Sequence, residues 1–151
     1  MADNGPMNML CELAAQTLSN TTRHLGKGQQ TWHKAATQLE ELQNFEREYQ
    51  EQLQGNIAGK GMSIAMLIAH QSFIESLGRA VTQHAEHVDA CQRSVDQIKQ
   101  IWRQEKRRLN SYETLQDRAR AVLQQKENRR EQKMMDEFAQ RASMKSGVGI
   151  R

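Results

Sequence analysis

The sequence predicts an all-α protein: two long helices forming an antiparallel coiled-coil hairpin, the second helix longer and ending in a C-terminal overhang. Three observations predict it. Apolar residues recur at alternating three and four spacing over most of the chain, the only proline is Pro6, and one glycine-rich break separates two such stretches. The expected organisation is one domain over residues 1–151, with helix one at about 6–53, a turn at 54–62, helix two at about 63–142 and a frayed tail at 143–151.

Helix one starts at Asn4, Gly5 and Pro6, because a proline in the first turn loses no hydrogen bond and has its φ already set. Its seam comprises Cys11, Leu18, Leu25, Trp32, Leu39, Glu46 and Leu53, spaced by sevens. Ala14, Thr21, Gly28, Ala35, Leu42 and Tyr49 each follow by three. Gly26 and Gly28 weaken the helix by about 1 kcal/mol each relative to alanine, and mark a kink or a close approach of the partner helix. A phosphate-binding loop would need a strand before it, and no strand pattern is present.

The run Gln54–Met62, QGNIAGKGM, carries three of the nine glycines and interrupts both seams, so it is read as the chain reversal. Folding about residue 58 sets Leu53 near Ser63, Trp32 near His84 and Met7 near Leu109, give or take a turn. On that pairing Cys11 and Cys91 stand roughly 20 Å apart along the axis, too far for a disulfide. Both are therefore read as small apolar residues of the core.

Helix two repeats the pattern for longer. Leu67, Ile74, Val81, Val88, Val95, Trp102, Leu109 and Leu123 are related by sevens; His70, Leu77, His84, Cys91, Ile98, Tyr112 and Ala119 follow by three. At a rise of about 1.5 Å per residue this helix would be about 120 Å long, and its last thirty or so residues would overhang helix one by roughly 50 Å. Residues 124–133, QQKENRREQK, contain no apolar side chain and must be solvated or lie inside a polar partner. Met135, Phe138 and Ala142 then restart a stripe, read as a docking face or, alternatively, as packing on the first turn of helix one or simply a lone apolar stripe.

With 37% hydrophobic and 5% aromatic residues, the 151-residue chain is too polar for a thick core but ample for a two-helix seam. The N-terminus MADNGPMNML has neither the basic start nor the apolar run of a secretory signal, so a soluble, cytoplasmic protein is expected. The net charge of +3 hides an asymmetry. Residues 1–98 hold seven Lys/Arg and eleven Asp/Glu, net −4, whereas residues 99–151 hold fourteen and seven, net +7. The basic end calls for an acidic partner.

Enzyme chemistry is poorly supported, and no cofactor or metal is expected. Only His84 and His87 are close enough on one helix to share a metal, with nothing to complete a tetrahedral set. A two-helix coiled coil also lacks a water-excluding pocket. What stands out is apolar surface beside the seam. Gln38, Leu42, Phe45 and Tyr49 step by four, three and four, and Phe73, Leu77, Ala80 and His84 mirror them. The stripes widen the apolar face near the turn, either as a partner site or as a broader hairpin core.

These residues also carry a resemblance. NRREQKMMDEFAQRASMK (Asn128–Lys145), QSFIESLGRAVTQH (Gln71–His84) and the acidic, aromatic end of helix one resemble the FliJ family of flagellar type III export proteins. The resemblance covers essentially the whole chain, and KMMDEFAQRA is its most specific part. It departs at Phe45, where a tyrosine is expected, and in a turn one residue longer.

The resemblance implies a non-enzymatic coiled coil, similar to the stalk of rotary ATPases, at the cytoplasmic face of the export apparatus. Its implied partners are the export ATPase ring, the cytoplasmic domain of the export gate protein and export chaperones. The ring would be bound through Arg129, Arg130, Lys133, Met135 and Phe138. The gate would dock on Gln38, Leu42, Phe45, Tyr49, Phe73, Leu77, Ala80 and His84. The isolated chain is expected to be a monomer that meets the membrane apparatus only through partners. Two rivals remain: a nucleic-acid-binding arm using Lys106, Arg107, Arg108, Arg118, Arg120, Arg129 and Arg130, which lacks interleaved aromatics, and a purely structural coiled-coil dimer.

Overall fold

The structure, a computed structural model, describes residues 5–150, with side chains through residue 146. It contains two helices, α1 (Gly5–Lys60) and α2 (Ile64–Ile150), which pack against each other as an all-α antiparallel hairpin. The chain divides into two compact units, one of Thr17–Gln104 and one of Met1–Gln16 with Glu105–Arg151.

Both helices run past their expected bounds. The turn is not 54–62 but Gly61–Ser63, and Gly55, Asn56, Ile57, Ala58, Gly59 and Lys60 are all helical. The physical reason lies in local capping. Gly61 has φ +71°, and its N–H donates to the Ile57 carbonyl at 3.2 Å, which closes α1 with a left-handed C-terminal cap. Two residues later Ser63 caps α2: its Oγ accepts from the Met66 N–H at 3.2 Å and its carbonyl accepts from the Leu67 N–H at 3.0 Å. Gly55 and Gly59 weaken the helix without ending it. At the other terminus α2 continues to Ile150, so the tail expected at 143–151 is helical as far as it is described. Asn4 and Arg151 lie outside the described residues.

These caps predict opposite signs for one kind of substitution. A Cβ at Gly55 or Gly59 meets nothing within 4 Å. Gly55→Ala and Gly59→Ala are expected to stabilise by up to about 1 kcal/mol each. Gly61→Ala should destabilise by about 1 to 2 kcal/mol, because alanine resists the left-handed conformation. Urea unfolding of the three variants checks it, and a stabilising Gly61→Ala would sink the cap assignment.

In the Thr17–Gln104 unit the seam is closely met. Every expected seam residue is buried or half-buried, with Ala35, Leu53, Leu77, Val95 and Ile98 innermost. Gly28 is the close approach: a Cβ there would lie 3.4 Å from Ile98 Cδ1 and 3.5 Å from Val95 Cγ2. Gly26, by contrast, faces open space. The later reversal shifts the register by about one heptad from folding about residue 58. His84 donates through Nε2–H to the Ala35 carbonyl at 2.9 Å, one turn from Trp32 and within the expected tolerance, whereas Trp32 itself shares a surface hollow with Gln92 and Val95. Trp102 Nε1–H donates to Thr22 Oγ1 at 2.9 Å.

The second unit shows the same shift. Asn8 accepts a hydrogen bond from Gln116 Nε2, and the Cys11 thiol donates to Gln116 Oε1 at 3.7 Å. Gln116 occupies a seam slot that the apolar series skips, and a polar pair there favours one register over its neighbours. Ala14 and Leu109 are buried in this unit, and among the described side chains of α2 none after Leu123 is buried or half-buried. The uncovered part of α2 therefore starts at Gln124, later than expected. Cys11 and Cys91 are both free.

Candidate functional site

The turn-proximal stripe is built on Tyr49. As a seam residue of α1 it is held against α2, where its ring stands 4.8 Å from that of Phe73, 6.3 Å from that of Phe45 and 5.8 Å from the His70 imidazole. Its hydroxyl is hydrogen-bonded to His70 Nδ1. The phenol thus has its polar tip satisfied and its face shared between two phenylalanines, an arrangement that orients all three rings.

The eight stripe residues separate by burial. Leu77 is 8% exposed and belongs to the core, whereas Phe45 and Phe73 are 50% and 44% exposed. Leu42, Tyr49, Ala80 and His84 are half-buried and Gln38 is exposed. The seam is complete beneath the two phenylalanines, so their outer faces remain open. A half-open aromatic pair set by a buried-side tyrosine can anchor a partner without unfolding the hairpin. Between the stripes Glu46 comes close to Gly78, with Oε2 3.8 Å from where a Cβ would be.

His70 was not among the expected stripe residues. Its signal was present, since Tyr49 and His70 are both seam positions, but it becomes readable only once the reversal is set at Gly61. The His84 and His87 rings lie 5.7 Å apart and Cys91 Sγ is 3.7 Å from His87 Nε2. Among the described residues no group of three or more His, Cys, Asp or Glu side chains can hold a metal.

The second candidate region is residues 124–146 of α2, every one of which is exposed. Arg129, Arg130 and Lys133 are among them, as are Met134, Met135, Phe138 and Met144 at 67% to 75% exposure. Phe138 is 75% exposed, so this stripe does not pack on the first turns of α1. At about 100° per residue, Met135, Phe138 and Ala142 lie about 60 to 120° round the helix from Leu123. The stripe is not a continuation of the seam and faces a different direction. Phe138, Arg141, Ala142, Met144 and Lys145 together line a shallow hollow with a basic rim. The basic residues of the nucleic-acid rival, Lys106, Arg107, Arg108, Arg118 and Arg120, are exposed as well.

No described helix is long and apolar enough to cross a membrane. The family model described as "Flagellar FliJ protein" matches residues 3–147. The chain is similar to a flagellar FliJ protein of Salmonella typhi, 37% identical over 145 residues that cover 96% of this chain and 98% of the relative. It is also similar to a flagellar FliJ protein of Escherichia coli strain K12, at 35% identity with the same coverage of each.

Proposed function

The chain belongs to the flagellar FliJ protein family, and from that premise we propose that it is a non-enzymatic coupler in the flagellar type III protein export apparatus, working at the cytoplasmic face. Residues 124–146 bind the export ATPase ring and promote its assembly. The stripe around Tyr49 docks on the cytoplasmic domain of the export gate, and export chaperones are further partners. The seam is covered within one chain, which favours a monomer over a coiled-coil dimer.

The observation that carries this reading is the full exposure of residues 124–146 in a helix otherwise covered along its seam. Helices in proteins gain most of their stability from packing an apolar face, which this segment does not do in the free chain. A long segment with exposed Met135 and Phe138 and a basic approach through Arg129, Arg130 and Lys133 suits the interior of an acidic, partly apolar ring. Coupling then requires differential affinity: the protein must bind one state of the ring or gate better than another to shift its population.

Replacing Arg129, Arg130 and Lys133 with glutamate tests the ring contact. The triple variant is expected to lose most of its stimulation of ATPase ring assembly, with its circular dichroism unchanged, because the segment buries nothing in the free chain. Unchanged stimulation would refute the assignment. If the variant instead abolishes tight, salt-sensitive binding to DNA or RNA and leaves the ATPase indifferent, the nucleic-acid reading replaces it.

A further inference from the structure

The first turns of α2, at the end of the hairpin, are apolar on every side, and we infer that this end is a membrane-surface site that inserts end-on into the interfacial region of a lipid bilayer. This inference does not rest on the docking stripe or on the ring contact. Ile57, Ile64, Met66 and Ile68 are 40%, 77%, 55% and 60% exposed, on both sides of the turn at Gly61–Ser63. Residues 64–69, IAMLIA, are six consecutive apolar residues at a helix start. All but the half-buried Leu67 are exposed, and exposed apolar runs oppose folding and solubility unless they serve a function.

The distribution of these side chains decides between a protein groove and a bilayer. A groove takes one stripe, with anchors spaced by three, four and seven. Here Ile64 and Ile68 share a side, while Met66 lies about 180° round the helix from them. Ile57 adds apolar surface from α1. A medium that is apolar all round covers these first turns of α2 at once, with Ile57 beside them and Lys60 left to the headgroups.

Charge points the same way. Between Glu51 and Glu75 there is no acidic residue, and Lys60, exposed beside the turn, is the only permanent charge. At about 1.5 Å per residue, the carboxylate-free zone reaches about 14 to 16 Å back from the tip along each helix. Interfacial insertion needs only about 5 to 10 Å, so no carboxylate need leave water, and Lys60 can meet anionic headgroups. Neither helix is long and apolar enough to span, so the contact is peripheral.

Vesicle flotation of the full chain tests this. The chain is expected to float with phosphatidylcholine vesicles and more strongly when phosphatidylglycerol is added. The double variant Ile64→Gln/Ile68→Gln should reduce vesicle partitioning at least tenfold, given the area each isoleucine removes from water. Met66→Gln is an independent second variant, and circular dichroism reports whether each remains helical. The Arg129→Glu/Arg130→Glu/Lys133→Glu variant should still float on phosphatidylcholine.

Absence of flotation on either vesicle would overturn the inference, as would equal flotation of the tip variants. Flotation confined to phosphatidylglycerol vesicles and abolished by the C-terminal charge reversal would assign the binding to the basic end instead. A wild-type dimer in light scattering that the tip variants convert to monomer, with no flotation, would make a second copy of the chain the occupant. Loss of gate-domain binding by the tip variants, again without flotation, would make it a protein.

Discussion

Leu77→Ala is expected to lower the stability of the hairpin by about 2 to 3 kcal/mol, the lower part of the range for burying and then deleting a leucine. Leu77 is 8% exposed and sits in the seam between Phe73 and His84. The lower part applies because no large side chain among the described residues is fully buried, so the site can partly collapse onto the deletion. Thermal unfolding followed by circular dichroism checks it. A loss below about 0.5 kcal/mol, the scale of an ordinary surface change, would mean that Leu77 is not core.

Phe73→Ala should behave in the opposite way. The side chain is 44% exposed, so truncation forfeits mainly its contact with the Tyr49 ring at 4.8 Å. Such aromatic pairs contribute about 0.5 to 1.5 kcal/mol beyond burial, and the stability loss should stay well below the 3 to 5 kcal/mol of a buried phenylalanine. If the stripe docks on the export gate, affinity for the gate domain should fall by about 1 to 2 kcal/mol or more, about fivefold or greater, as for an aromatic anchor. Stimulation of the ATPase ring should survive, since no residue of the ring-binding set is touched. Phe45→Ala, whose ring is 6.3 Å from Tyr49, should disturb stability still less. A Phe73→Ala variant that unfolds and loses both activities together would make the stripe part of the core.

The contrast between two neighbours, Phe73 and Leu77, also shows how far the candidate site was legible. Their spacing placed both on one stripe, yet one supports the fold and the other is half open. Heptad position says which way a side chain points along a helix, but exposure depends on what the partner helix puts opposite it. Tyr49 leans across to Phe73 and His70 and leaves the outer face of Phe73 uncovered. That is a pairwise fact between residues far apart in the chain.

Residue order alone was enough to tell which face of each helix is buried, because a three-and-four apolar repeat has one physical solution, a seam against another helix. From Cys11 to Leu53 and from Leu67 to Leu123 every seam residue read from that repeat is buried or half-buried. Axial register was not accessible in the same way, since a heptad repeat looks alike after a slide of one heptad. The glycines at 55 and 59 suggested a reversal there, but each opposes a helix by only about 1 kcal/mol, and flanking helical turns outweigh that. The reversal went to Gly61 and Ser63, where a left-handed cap and a serine cap satisfy the helix ends. Once set, that choice determined that Gly28 meets Val95 and Ile98, that Asn8 meets Gln116, and that α2 is left uncovered over residues 124–146.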